Sequence, residues 1–99
     1  MARRFVDLVE RQLDLFAADQ AGLIADVEAA LGAYDHAPRG EAEERYGDFL
    51  DLVETGTDEL IDVRENYATS LDDEAADEYR DVFNDLVRHR LPRFGLEID

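Results

Sequence analysis

The chain has no cysteine, and among its 99 residues there is not one lysine, so all ten basic residues are arginine. The lack of cysteine excludes a disulfide framework, a thiolate zinc site and a thiol nucleophile. Only two histidines are present. Neither His36 nor His89 has an acid three residues before it, so the Asp/Glu-x-x-His signature of di-iron helical bundles is missing too. No run of 18 apolar residues offers a transmembrane helix. The opening Met-Ala-Arg-Arg-Phe-Val-Asp carries charge where a secretory signal needs its apolar segment. The expectation is a cytoplasmic protein with no membrane partner and no cofactor.

Acid is what the chain has in excess: 26 Asp and Glu give a formal net charge of −16. Self-repulsion of that size disfavours a compact state, but molar salt shortens the Debye length to about 3 Å and removes most of the penalty. The composition therefore fits the cytoplasm of an extreme halophile, and acidic pairs become common enough to carry little information by themselves. With 45% hydrophobic residues, including four Tyr and five Phe, the chain stands apart from disordered acidic sequences. Residues 1–99 are read as a single domain able to bury roughly 65% of its unfolded surface.

Projection at 100° per residue aligns Phe5, Val9, Gln12, Phe16, Gln20, Leu23, Val27, Ala30 and Tyr34. The spacing predicts one helix over about 3–35, with Asp19 to Gly22 as a place where it could break. His36-Ala-Pro-Arg-Gly40 has the composition and length of a helix-helix turn. A second stripe from Ala42 to Leu71 predicts a helix over about 41–69. Gly56 marks a possible interruption there, since Thr57 could cap a new helix. A third helix is expected over about 71–91, capped by Ser70 and closed by Arg88, His89, Arg90 and Pro92. Phe94, Leu96 and Ile98 alternate with Gly95 and Glu97, so 92–99 reads as an extended strap. The predicted fold is all-α: an up-down-up three-helix bundle with a long N-terminal hairpin and an extended C-terminal tail.

Helices of roughly 33, 29 and 20 residues run about 50, 44 and 30 Å. The third is too short to cover the hairpin formed by the first two. That leaves an apolar surface larger than monomers usually show, made by Leu23, Val27, Leu31, Tyr34, Tyr46, Phe49, Leu50 and Val53. A homodimer, or docking on another helical protein, would cover it. The leading expectation is accordingly a non-enzymatic helical interaction module.

Three constellations point to chemistry. Glu41-x-x-Glu44 and Glu59-x-x-Asp62 form paired acidic motifs, and the pattern resembles that of the all-α nucleotide pyrophosphohydrolases of the MazG type. The resemblance implies a magnesium-dependent phosphohydrolase in which the four carboxylates converge on the ion. Convergence requires a break at Gly56, because on an unbroken helix the pairs stand about 27 Å apart. Asp73, Asp77, Asp81 and Asp85 form a ladder at four-residue spacing whose simplest reading is a hydrated outer face. Arg64 projects at the centre of the second stripe and must be paired there. It is expected in a buried ion pair with Asp19, Asp26 or residues near 9–16, as a side chain whose stem packs while its head reaches solvent, or in an anion site with Gln12 as second donor. Arg39, Arg45, Arg88, Arg90 and Arg93 are expected near the 36–40 turn together with both histidines. The net charge repels nucleic acid all the same, and no groove-reading motif is present.

Overall fold

The computed structural model describes residues 3–95 and 98. It is all-α, with helices α1 (Val6–Asp19), α2 (Ala21–Asp35), α3 (Ala42–Ala68), α4 (Asp73–Arg90) and a single turn α5 (Pro92–Gly95). The molecule is elongated, 50 × 24 × 22 Å. Among the described residues, no helix is long and apolar enough to cross a membrane.

The expected first helix is divided at Gln20, whose backbone leaves helical values at φ −109° and ψ 27°. Two bonds still span the break, Gln20 N–H to Phe16 O at 2.8 Å and Ile24 N–H to Gln20 O at 2.9 Å. The chain therefore continues upward while changing partners, because α1 packs on α4 and α2 packs on α3. One straight axis cannot serve both contacts, and the bend falls within the Asp19 to Gly22 segment.

The second helix is unbroken. Gly56, the suspected interruption, is buried in the middle of α3, and a Cβ there would lie 2.3 Å from the Phe94 ring. Glycine at this position serves close packing, with α5 laid across α3. Phe94 also meets Phe16 edge to face, with ring centroids 6.0 Å apart. This burial explains why the chain after Leu91 is a helical turn rather than the expected strap. Proline is well placed to open such a turn, the Phe94 and Gly95 amides donate to Leu91 O, and Phe94 is drawn into the space that Gly56 leaves. Ile98 is buried as well, and its carbonyl accepts from the Arg88 guanidinium at 3.1 Å. The chain has thus folded back toward α4. Leu96, Glu97 and Asp99 lie outside the described residues.

α4 begins two residues later than expected. Its cap is Asp72, whose carboxylate accepts from Ala75 N–H at 2.8 Å, and an anion suits this positive helix end. The Ser70 hydroxyl instead donates to Tyr67 O at 2.6 Å, finishing α3.

The core has its greatest depth where α1, the second half of α3 and α4 enclose Val9, Leu13, Leu60, Tyr79 and Phe83, each fully buried. Tyr79 donates to Gln12 Oε1 at 2.8 Å, so its one polar atom is satisfied. Phe5, in a left-handed conformation at φ 71°, closes the bottom with its ring edge-on to Tyr79 at 5.6 Å. That backbone geometry is costly for an aromatic residue, and ring burial offsets it.

Candidate interaction surface

α4 ends early. Arg90, its last residue, reaches Glu10 Oε2 at 2.9 Å and Asp14 Oδ1 at 2.6 Å, which puts the top of α4 level with the middle of α1. From Asp14 to the 36–40 turn is roughly 33 Å along the helix direction. α5 covers the next step, fastened to α2 by Arg93 donating to Glu28 at 3.0 Å. Above it, α2 and the first half of α3 run as a two-helix hairpin.

Of the eight residues expected to line an interface, Val27, Phe49 and Val53 are buried. They occupy the seam between α2 and α3, because they sit at the centre of each apolar arc, and they are unavailable to a partner. Leu23, Leu31 and Tyr34 are half-buried. Tyr46 and Leu50 remain 44% and 36% exposed. Tyr34 and Tyr46 meet at a tilt across the hairpin with centroids 5.0 Å apart, and Tyr46 continues to Phe49 at 6.1 Å. An aromatic ladder therefore closes the tip, with one of its rings half in solvent. At the foot of the hairpin, Ile24 and Val27 of α2 face Leu91, Pro92 and Phe94 across a groove of about 240 Å³.

The acidic motifs do not converge. Glu41 precedes α3, while Glu44, Glu59 and Asp62 lie along its continuous length, so the two pairs stand about 27 Å apart. Among the described residues, no group of three or more potential ligands is placed to hold a metal ion. All four rungs of the Asp73, Asp77, Asp81, Asp85 ladder are exposed. Arginines serve two of them, Arg80 at Asp77 and both Arg3 and Arg88 at Asp85.

Arg64 is 7% exposed, and its partners are nearer than expected. Its Nε donates to Glu65 Oε2 at 2.9 Å, and an Nη donates to Asn84 Oδ1 on α4 at 2.8 Å. Glu65 also receives Arg80 in a fork, with bonds of 3.0 and 3.1 Å to its two oxygens. The Arg80 bonds, reinforced by Arg64, hold the Glu65 carboxyl below its ordinary range despite the opposing effect of burial. Glu65 in turn raises the Arg80 guanidinium. Gln12, the expected second donor of an anion site, is engaged as the acceptor of Tyr79. The five upper arginines also separate. Arg39 and Arg45 stay near the turn with His36, whereas Arg88, Arg90 and Arg93 are tied lower down to Asp85, Glu10, Asp14 and Glu28, and His89 lies with them in the last turn of α4.

Sequence reasoning missed the lock between Phe94 and Gly56 and the sharing of Glu65 by two arginines. The first had a signal, because Gly56 lies inside the apolar stripe rather than beside it. The second had none, since residues 15 apart on different helices follow no period. No family model, curated protein or solved structure matches the chain.

Proposed function

We propose that this protein is a non-enzymatic helical interaction module that forms a homodimer through the hairpin of α2 and the first half of α3, in a salt-rich cytoplasm. The observation that carries the reading is the end of α4 beside Glu10 and Asp14. It leaves Tyr46 and Leu50 in solvent next to half-buried Leu23, Leu31 and Tyr34. A second copy of the hairpin supplies the missing layer, and a two-fold arrangement lets the same residues serve both sides.

Charge shapes the expected behaviour. Bringing together two chains of −16 is opposed at low salt and eased as the Debye length shortens, so association strengthens with ionic strength. Light scattering in molar salt tests this: the expected mass is twice 11.2 kDa, and a protomer mass at every concentration contradicts it. Leu50→Glu places charge on a side chain that is already partly exposed. It should return the protein to protomers with an unchanged circular dichroism spectrum and a melting temperature near that of the parent diluted to protomer, since such surface changes cost within about 0.5 kcal/mol and only the stabilisation from association is lost.

A further inference from the structure

A second groove, of about 260 Å³, opens where α1 approaches α3. Leu15, Phe16 and Val63 form its apolar part, and Asp19, Gln20 and Glu59 stand around it. Leu15 is 65% exposed, the highest value among the large hydrophobic residues described. Neither Asp19 nor Glu59 takes part in a salt bridge among the described residues, although eight of the ten arginines are in one. The groove under α5 differs on this point, because its Glu28 is neutralised by Arg93. Asp19 is also the last residue of α1, in a final turn without a basic residue.

We propose that this groove docks a cationic amphipathic segment of a partner protein. An apolar side chain of the segment rests on Leu15, Phe16 and Val63, and flanking Lys or Arg groups pair with Asp19 and Glu59. The volume is below the roughly 300–1,000 Å³ of pockets that enclose small-molecule ligands, so it suits one or two side chains of a larger partner. A second copy of this chain is a poor occupant, since most of its arginines are already committed to its own carboxylates. The groove lies apart from Tyr46 and Leu50, and its occupancy does not depend on the dimer.

The test is a nuclear magnetic resonance titration of the ¹⁵N-labelled protein with a synthetic Lys-Leu amphipathic helical peptide, at an ionic strength where the Debye length is about 10 Å. Shift changes should be confined to amides around residues 12–20 and 59–63. Asp19→Asn with Glu59→Gln should weaken binding roughly tenfold, as expected for two partly exposed charge pairs. Leu15→Ser should weaken it as well. Glu54→Gln with Asp81→Asn removes the same charge from elsewhere on the surface and should leave affinity within about twofold. Equal weakening by that control pair, shifts spread over the acidic surface, or the same shifts produced by spermidine alone would overturn the proposal. Repeating the titration in Leu50→Glu, with the parent's dimer scored separately by light scattering in molar salt, separates the two surfaces: binding retained by that variant leaves this groove standing whatever the dimer does, whereas a parent that dimerises in molar salt but ignores the peptide removes the groove and leaves the dimer.

Discussion

Below Gln20, three helices enclose Leu13, Leu60, Tyr79 and Phe83 so fully that none is exposed. Above it, two helices with only the single turn of α5 against them share Val27, Phe49 and Val53 as buried residues, and Tyr46 and Leu50 stay in solvent. The glycines divide in the same way. A methyl added at Gly22, Gly32 or Gly47, all in the upper hairpin, would meet nothing within 4 Å, whereas at Gly56 it would strike Phe94. The contrast shows what a third layer supplies. Two apolar arcs facing each other bury only their centres, and their flanks stay open until another element lies along the seam.

Core truncation should expose the difference most strongly. Phe83→Ala should cost about 3–5 kcal/mol, as expected for an enclosed aromatic, while Phe49→Ala should cost about 2 kcal/mol, because an open-sided hairpin collapses around the loss. Urea melts of both variants check this, and equal losses would break the comparison. Next comes Gly56→Ala. Its methyl must displace Phe94 from between Phe16 and α3, a strain of about 1–3 kcal/mol only partly offset by alanine's better helix propensity. Adding Phe94→Leu should recover part of that loss.

The third prediction concerns pH. Burial pushes the Tyr79 phenol up to about 12 from an ordinary 10, against the lowering effect of its bond to Gln12. A group whose folded pKa is raised stabilises fully below the unfolded value. Stability due to the neutral phenol should therefore hold up to about pH 10 and disappear as pH rises toward 12. Tyr79→Phe should cost about 1 kcal/mol at neutral pH, through the Gln12 acceptor it strands, and should flatten the alkaline limb of a stability profile. The smallest effect is a gain: Gly47→Ala should stabilise the hairpin by about 0.5–1 kcal/mol.

Much of the fold was legible because period and length are local properties. The stripe from Ala42 to Leu71 gave α3 to within a residue or two, and helix lengths alone implied that α4 would fall short. What escaped depended on tertiary geometry. The phase from Phe5 to Tyr34 passes through Gln20 unaltered, so periodicity cannot reveal that α1 and α2 serve different partners. Ser70 was the expected cap by residue type, yet Asp72 has the extended backbone that a cap needs. The burial of Arg64 was legible from its azimuth, with an ion pair one of its readings. Its partners were not, because a projection of one helix says nothing about Asn84 on another. For the interaction surface, the stripe identified the apolar residues but could not separate Val27, held in the seam, from Leu50, which looks outward.

Hydrogen exchange across a range of protein concentrations in molar salt tests the central claim most directly. Amides of α2 and of residues 42–55 should exchange more slowly as concentration rises, while those around Leu13, Leu60 and Phe83 stay unchanged. Protection of the upper hairpin that is independent of concentration, and already equal to that of the lower half in dilute protein, would contradict it.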